Sequence, residues 1–334
     1  MSALNEVVLQ IRNLQVQYNT ARGPVNAVNN VSFDLHKGEV LGLVGESGSG
    51  KTTMAMALMG LIRSPGRVSG GEILLNGRNL AGLSEAAYKK VRLAEIALIP
   101  QGAMNSLNPV TRIREQLLDG PRDHGIVMSR LAADQYVASL LERVGLRTEV
   151  ANMHAHELSG GMKQRVAMAI AISLKPKVII ADEPTSALDV VVQKWVMETL
   201  KDVQTELGAS IILVGHDMGL MAQTVDRLGV MYAGRLAELA PIRETLMAPQ
   251  HPYTRLLIES LPAVTTKKPL RGIPGLAPQL LNLPSGCAFH PRCPHAFDRC
   301  SLETPPLIEA APQRWAACHL LEERLKDEDD KVTR

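Results

Sequence analysis

The stretch that decides the fold of this 334-residue chain is Val40-Leu41-Gly42-Leu43-Val44-Gly45-Glu46-Ser47-Gly48-Ser49-Gly50-Lys51-Thr52. An uninterrupted apolar run, typical of a strand covered on both faces, leads into the spacing G-x-x-x-x-G-K-[ST], and a helix-forming segment follows. Glycines in such a loop let several backbone N–H groups converge on one anion, and the helix N-terminus adds partial positive charge. The stretch therefore predicts a nucleotide-phosphate site made by Gly45, Glu46, Ser47, Gly48, Ser49, Gly50, Lys51, Thr52 and Thr53. Within it, Lys51 is expected to bridge the outer phosphates and the Thr52 hydroxyl to bind Mg²⁺.

Apolar runs like this one recur along the chain and set the fold class. They lie at 96–99, 178–181 and 211–214, and helical-looking segments separate them. Buried strands alternating with helices predict a parallel sheet built from βαβ units, an α/β fold. Ahead of this region, apolar and polar residues alternate over 13–18 and 31–36, which predicts half-buried antiparallel strands.

Composition excludes several classes of protein. With 46% hydrophobic residues the chain can bury a large core, and 36 basic against 34 acidic residues argue against a protein that coats nucleic acid. Aromatic residues make up 3%, too few for platforms that stack bases. No run approaches ~18 apolar residues, and the first ten residues lack a basic leader before an apolar core, so we expect neither a membrane span nor export.

Two carboxylates end the third apolar run. Asp182 and Glu183 follow the strand at 178–181, a position where Asp182 can hold Mg²⁺ and Glu183 can polarise a water for attack on a γ-phosphate. Strands often end at a solvated acidic turn, but the phosphate loop elsewhere in the chain makes the catalytic interpretation the better one.

A second anion site is predicted at Leu158-Ser159-Gly160-Gly161-Met162. Ser159 is a natural N-cap for the helix that follows, and Gly160 and Gly161 leave their N–H groups unobstructed at the positive end of that helix. Two phosphate-binding ends far apart in sequence make sense if each closes on a nucleotide held by a different subunit.

These segments resemble the ATP-binding subunit of ABC (ATP-binding cassette) transporters over about residues 5–255. The resembling motifs are, in chain order, Tyr18 at the adenine-stacking position, the phosphate loop, Gln101 as the Q-loop glutamine, 158–162 as the signature, Asp182-Glu183, Ser186-Ala187-Leu188-Asp189 as the D-loop, and His216 as the switch histidine. Departures are mild: Met162, Gly102 and Gly215 replace residues commoner in the family, and none of them removes a catalytic group.

The resemblance implies a P-loop ABC-type nucleotide-binding domain with a mixed sheet core, an antiparallel β subdomain and an inserted helical subdomain at about 106–156. It implies catalytic roles for Glu183, His216 and Gln101, and Mg²⁺ bound through Thr52, Gln101 and Asp182. Two cassettes would meet head to tail, so that Ser159, Gly160 and Gly161 act on the partner's ATP beside Asp189. Implied partners are two transmembrane permease subunits, a second, different ABC ATPase subunit and, indirectly, an extracytoplasmic solute-binding protein, with no nucleic acid. The implied location is peripheral, on the cytoplasmic face of the bacterial inner membrane.

The segment after the cassette differs in composition. More than half of the 20 prolines fall between Pro252 and Pro312, which excludes a long helix or a central strand. All four cysteines, Cys287, Cys293, Cys300 and Cys318, also lie here. Four thiolates bound to one metal centre would stabilise a segment that has little hydrophobic core. The spacing of the cysteines does not decide between zinc and an iron–sulfur cluster. We expect a small irregular Cys-rich extension over 256–320 and a flexible charged tail over 321–334.

His251-Pro252-Tyr253-Thr254 and Pro291-Arg292-Cys293-Pro294 resemble the C-terminal extension of the oligopeptide and dipeptide import subfamily. That resemblance implies a [4Fe–4S] cluster on Cys287, Cys293, Cys300 and Cys318, with Zn²⁺ as the alternative and His290, His295 and His319 as spare ligands. It also implies the ATPase motor of a peptide importer. Two other functions stay open: a soluble ABC ATPase of DNA repair or translation, and a metal- or redox-sensing module with a regulatory nucleotide site.

Overall fold

A computed structural model describes residues 6–102, 106–261 and 272–332, and of residues 326–332 the backbone alone. The strands in these ranges are β1 (Val7–Thr20), β2 (Gly23–His36), β3 (Val40–Val44), β4 (Gly66–Leu75), β5 (Arg78–Asn79), β6 (Ile96–Ile99), β7 (Val178–Asp182), β8 (Ser210–Val214), β9 (Arg227–Tyr232), β10 (Arg235–Pro241), β11 (Ile308–Ala311) and β12 (Arg314–Ala316). The α-helices are α1 (Lys51–Leu58), α2 (Glu85–Val91), α3 (Ile113–Asp123), α4 (Arg130–Arg143), α5 (Gly160–Ala171), α6 (Val190–Leu207), α7 (Met218–Thr224), α8 (Ile242–Met247), α9 (Pro252–Glu259), α10 (Asp298–Leu302) and α11 (His319–Val332). None of the helices within the described ranges combines the length and apolarity needed to cross a bilayer.

The larger sheet has the strand order β11-β12-β10-β9-β3-β8-β7-β6. Its part from β9 to β6 is parallel, and every residue of β3, β7 and β8 is buried, as expected for strands covered on both faces. Because parallel strands end at the same edge, the residues that follow β3, β6, β7 and β8 gather there. The parallel α/β core predicted from the apolar runs is confirmed.

A second, antiparallel sheet has the order β2-β1-β4-β5. β1 pairs with β2 in a register that includes Leu14 opposite Val31 and Tyr18 opposite Val25. The two strands predicted from period-two alternation are therefore present, and both are longer than the alternating segments alone indicated.

Side chains of the larger sheet alternate between two cores. Leu41 and Leu43 of β3 pack in the core that includes the antiparallel sheet, whereas Val40 and Val44 pack in the core that includes α3 to α6. This follows from the two-residue period of a strand. The antiparallel sheet and the helices α3 to α6 therefore pack on opposite faces of the larger sheet. The helices between β6 and β7, which are α3 to α5, we call the helical lobe.

The chain between β6 and β7 is helical, as predicted. It contains α3, α4, two 3-10 turns at Thr148–Asn152 and Ala155–Glu157, and then α5. Ser129 caps α4 by accepting the N–H of Ala132, and Leu117 and Leu141 are fully buried in the lobe. The lobe therefore has apolar contacts of its own while it remains part of the larger core.

The C-terminal extension joins the cassette more closely than its composition indicated. β12 pairs antiparallel with β10, placing Glu238 opposite Ala316, so the extension lengthens the main sheet at its edge. Phe289 is 2% exposed and packs in the same core as the helical lobe. The sequence predicts a flexible tail over 321–334. In the structure, α11 begins at His319 and continues to Val332, and it buries Leu321.

Candidate functional site

The phosphate loop runs from the end of β3 to the start of α1. Lys51 is buried, and its Nζ donates to the carbonyl oxygens of Gly45 at 2.7 Å and Glu46 at 3.0 Å, and to Ser49 Oγ at 3.2 Å. Burial lowers the pKa of Lys51, while Glu183, Asp182 and Glu46 act in the opposite direction. The ammonium group is thus held at the loop by neutral oxygens, which a phosphate can replace.

Two glycines are required by the shape of this loop. Gly45 has φ +148°, and a Cβ there would lie 2.1 Å from the Met231 carbonyl oxygen. Gly50 has φ +100°, and a Cβ there would lie 2.2 Å from the Ala27 carbonyl oxygen. Both contacts are with backbone that cannot move aside, so only glycine allows the loop to lie against the neighbouring strands.

Several predicted residues surround one cavity of about 400 Å³ beside the loop. The lining residues are Gly45, Glu46, Ser47, Gly48, Ser49, Gly50, Lys51, Thr52, Thr53, Gln101, Glu183, His216 and Leu280. Gln101, Glu183 and His216 come from the segments after β6, β7 and β8, which end at the same edge of the sheet. The structure thus brings together the phosphate loop and the three side chains assigned to catalysis.

Asp182 lies next to the loop at the end of β7. The Thr52 hydroxyl donates to Asp182 Oδ1 at 3.3 Å. Burial raises the pKa of Asp182, and the hydrogen bond from Thr52 opposes that shift. A hydroxyl and a carboxylate side by side are oxygen ligands of the kind Mg²⁺ prefers, so the residues present fit the ion that the sequence predicted.

Glu183 connects the catalytic candidates. Its Oε2 accepts the Gln101 amide at 2.9 Å, and its Oε1 lies 3.5 Å from His216 Nδ1. The Glu183 side chain is 17% exposed, whereas that of His216 is 70% exposed. Glu183 also has φ +46°, a strained backbone for a residue with a side chain, and such strain is concentrated at functional sites.

The signature and D-loop residues lie outside this cavity, with Ser159 and Asp189 exposed and Gly161 buried. Ser159 caps α5 by accepting the Met162 N–H at 3.3 Å, as predicted, and Asp189 caps α6 by accepting two backbone N–H groups at 3.0 Å. Neither these caps nor Gly160 and Gly161 line the cavity beside the phosphate loop of their own chain.

Tyr18 also lies outside the lining of this cavity. It is half-buried near the end of β1, opposite Gly66 of β4, where a Cβ on Gly66 would come within 2.5 Å of its ring. Its proposed contact with adenine stays a prediction.

Three residues of the C-terminal part reach the phosphate loop, and sequence reasoning missed all three. Leu280 lines the cavity. The hydroxyl of Tyr253 accepts the Glu46 N–H at 2.9 Å, and Arg292 binds both carboxylate oxygens of Glu46, at 2.6 and 2.8 Å. Arg292 stands next to Cys293 in the chain, and nothing in either segment signals its contact with a loop 246 positions away.

The four cysteines are free thiols that lie near one another. Burial raises the pKa of Cys287, and the charges of Cys300 and Cys293 raise it further. Burial likewise raises the pKa of Cys318 to about 11, with added repulsion from Cys287 and Cys293. Even so, no three or more His, Cys, Asp or Glu side chains within the described ranges are arranged to hold a metal ion. The metal centre therefore stays a prediction.

Two of the three predicted spare histidines have other partners. His290 Nδ1 lies 2.9 Å from the Cys287 carbonyl oxygen, and His319 Nε2 lies 2.9 Å from the Glu303 carbonyl oxygen. These contacts fit roles in shaping the loops that carry the cysteines.

Comparisons with known proteins indicate the family of this chain. The family model "ABC transporter" matches residues 28–186, and the model "Oligopeptide/dipeptide transporter, C-terminal region" matches residues 237–300. The dimeric structure of MJ0796, a bacterial ABC transporter cassette, superposes with a TM-score of 0.64 at 27% identity, covering 70% of this chain and 99% of that one. A post-hydrolysis state of the same cassette, bound to ADP and Pi, superposes with the same score.

Relatives match along nearly the whole chain. The oligopeptide transport ATP-binding protein OppD of Escherichia coli (strain K12) is 42% identical over 316 residues, which cover 94% of this chain and 93% of that protein. The dipeptide transport ATP-binding protein DppD of Lactococcus lactis subsp. cremoris (strain MG1363) is 41% identical over 322 residues, covering 96% and 92%. The chain therefore belongs to the family of ATP-binding proteins of oligopeptide and dipeptide ABC transporters.

Proposed function

We propose that this chain is the ATP-hydrolysing subunit of a bacterial ABC importer for dipeptides or oligopeptides. The observation that carries the ATPase part is the single cavity lined by the phosphate loop, Gln101, Glu183 and His216. The peptide part is supported by the relatives, which are named for oligopeptide and dipeptide transport, and by the match of the C-terminal region.

In the proposed reaction, a water attacks the γ-phosphorus of ATP while Glu183 accepts its proton, and the bond to the ADP oxygen breaks. Glu183 suits this role because its side chain is mostly buried, its Oε2 accepts the Gln101 amide, and its Oε1 lies 3.5 Å from His216 Nδ1. Lys51 and the loop N–H groups bind the phosphates, and the exposed His216 can turn toward the γ-phosphate and stabilise its developing charge. Mg²⁺ held by Thr52, Asp182 and Gln101 would neutralise charge on the outer phosphates when bound.

The proposed working unit contains two cassettes. Ser159, Gly160 and Gly161 lie at the N-terminus of α5, away from the cavity of their own chain, so they are placed to bind ATP held by a second cassette beside Asp189. The dimeric form of the cassette MJ0796 supports this arrangement. We propose a different ATPase subunit as the second cassette.

The helical lobe is the proposed docking surface for the coupling helix of a permease subunit. It carries a groove of about 730 Å³ lined by residues that include Arg114, Arg122 and Asp134. On the same lobe, Val127 is 95% and Leu131 is 70% exposed, which is unusual for large apolar side chains. Docking there would hold this chain at the cytoplasmic face of the membrane, with the solute-binding protein acting on the permeases from the other side.

We further propose that Cys287, Cys293, Cys300 and Cys318 hold a [4Fe–4S] cluster, with Zn²⁺ as the alternative. The support is that the four cysteines lie close together in the C-terminal extension: the Cys287 N–H donates to the Cys300 carbonyl oxygen at 2.8 Å, and Cys287 and Cys293 both act electrostatically on Cys318. Because burial raises the pKa of Cys287, Cys293 and Cys318, metal binding to their thiolates would release protons. Iron, acid-labile sulfide and zinc measured on anaerobically purified protein test this: iron and sulfide together support the cluster, zinc alone supports the alternative, and neither refutes both.

The ATPase proposal is tested with Glu183→Gln in the purified transporter. Gln cannot accept the proton, so hydrolysis should fall by a factor of about 100 to 10,000 while bound ATP is retained. Glu198→Gln is the matched control, since Glu198 is a surface residue of α6 paired only with Lys194 among its described ion pairs. Full hydrolysis by Glu183→Gln would refute the assignment.

Uptake of short peptides into vesicles tests the transport part. The assembled transporter should import peptides with ATP inside the vesicle, and Glu183→Gln should abolish that import. ATP hydrolysis without peptide uptake would refute peptide transport alone. Co-purification with ribosomes or DNA instead of permeases would support a soluble ABC ATPase.

A further inference from the structure

The C-terminal extension holds the phosphate loop through Glu46. Both oxygens of the Glu46 carboxylate accept from Arg292, at 2.6 Å to Nη1 and 2.8 Å to Nη2, which is a bidentate pair. The Glu46 backbone N–H donates to the Tyr253 hydroxyl at 2.9 Å. The side chain and the backbone of one loop residue are therefore both held from outside the loop.

Several contacts fix the position of the Arg292 side chain. Its side chain is 6% exposed, its Nε donates to the Pro274 carbonyl oxygen at 2.8 Å, and its Nη1 also donates to the Tyr232 hydroxyl at 3.2 Å. The guanidinium lies 5.9 Å from the Tyr232 ring centre and 6.0 Å from that of Phe289. These contacts leave the guanidinium little freedom, so its charge stays beside Glu46.

The negative charge of Glu46 affects phosphate binding because Glu46 belongs to the phosphate loop itself. Glu46 lines the same cavity as Lys51 and the loop N–H groups that bind phosphate. Its carboxylate also acts electrostatically on the Lys51 ammonium. A carboxylate at this place would repel the phosphates of ATP unless a cation neutralised it, and Arg292 is a cation bound directly to it.

We propose that Arg292 is a positioning residue of the ATP site, which neutralises Glu46 and holds it away from the bound phosphates. The C-terminal extension thereby sets the affinity of the phosphate loop for ATP. This inference rests on the proposed ATP site at the loop. It assigns to the extension a role in nucleotide binding that is separate from any metal centre.

The test is ATP affinity measured on the full-length chain with a non-hydrolysable ATP analogue and Mg²⁺. Arg292→Met leaves Glu46 as an uncompensated negative charge, so the Kd should rise about tenfold at low salt and by less at high salt, where the charge is screened. Glu46→Gln should lower the Kd. The double variant Glu46→Gln with Arg292→Met should return to within about threefold of the wild-type Kd, since no unpaired charge remains.

Matched variants separate this effect from damage to the fold. Arg299→Met removes another paired arginine of the extension, whose ion pairs with Glu303 and Glu322 lie away from the loop, and should leave the Kd unchanged. Where Arg292→Met does not fold, Arg292→Gln takes its place: it removes the charge but keeps a polar side chain, so its Kd should also rise about tenfold at low salt. An unchanged Kd for the glutamine variant would overturn the proposal.

The Kd values of the double variant and of Lys51→Ala also test the proposal. A double variant that binds no more tightly than Arg292→Met overturns the proposal, because Arg292 then acts only through packing. Lys51→Ala shows whether the loop binds ATP at all. An unchanged Kd for Lys51→Ala would overturn the ATP site and this inference together. Loss of binding by Lys51→Ala with an unchanged Kd for Arg292→Met would overturn this inference alone.

Discussion

Acidification should destabilise the fold through a single histidine at the entry to the C-terminal part. His251 is 4% exposed, and its Nδ1 caps α9 by accepting the Tyr253 N–H at 3.0 Å. Its ring lies 5.8 Å from that of Phe289. Burial lowers the pKa of His251 to about 4, and a hydrogen bond with the Ala317 backbone only partly opposes this shift. The folded protein therefore keeps this ring neutral where an unfolded chain would protonate it.

The magnitude follows from the two pKa values. A histidine in the unfolded chain has a pKa of about 6.5, so below that pH the unfolded state takes up a proton that the folded state refuses. Stability from this group is fully present above about pH 6.5 and is lost as the pH falls toward about 4. Proton linkage gives a loss of about 2 kcal/mol in the free energy of unfolding between about pH 7.5 and about pH 5, rising to about 3 kcal/mol by about pH 4.

Urea unfolding followed by circular dichroism measures this loss at both pH values. His251→Asn is the comparison, because asparagine keeps an oxygen that can accept the Tyr253 N–H but cannot take up a proton in this range. The wild type should lose about 2 kcal/mol more than His251→Asn between the two pH values. His156→Asn, at an exposed histidine, should behave as the wild type. An equal loss in wild type and His251→Asn, within about 0.5 kcal/mol, would refute the reasoning.

Three further predictions concern other residues of the core, of a helix cap and of the ATP site. Phe289→Ala, which empties a site packed against Tyr232 and Tyr253, should lower the free energy of unfolding by about 3 to 5 kcal/mol, and the half-buried Phe297→Ala by clearly less, in urea titrations. Asp189→Ala removes two hydrogen bonds that cap α6 and should cost about 1 kcal/mol in the same assay, with Asp189→Asn close to wild type. Tyr18→Ala should raise the Kd for ATP about fivefold or more through lost stacking on adenine, whereas Tyr18→Phe should not; equal affinities for all three proteins would contradict the adenine contact.

Much of the site was predictable because its parts are encoded in short segments. The run from Val40 to Thr52 contains the strand, the glycines and the lysine of the phosphate loop in one contiguous stretch. Gln101, Glu183 and His216 each follow a strand that could be recognised by its apolar residues. The resemblance to the family named Gln101 and His216, and they meet Glu183 because parallel strands end at one edge of the sheet.

The C-terminal part shows what such patterns miss. Its prolines predicted an irregular unit, yet β12 extends the main sheet through β10, and Phe289 fills the main core. The charged tail predicted to be flexible continues α11, because the helix begins at His319 and buries Leu321. β12 has only three residues, too few positions for alternation to be visible in the sequence.

The sequence alone determined the phosphate loop, the apolar strands of the parallel core and, with the resemblance to the family, the identities of the residues that meet at the end of the sheet. Only the tertiary structure decided that Arg292 and Tyr253 hold Glu46, and that the signature residues lie apart from the cavity of their own chain. The reason is physical: strands, helices and anion-binding loops arise from neighbouring residues, whose spacing leaves a pattern. The ion pair between Glu46 and Arg292, 246 positions apart, depends on how separate elements pack. The sequence around either residue has no pattern that indicates the other.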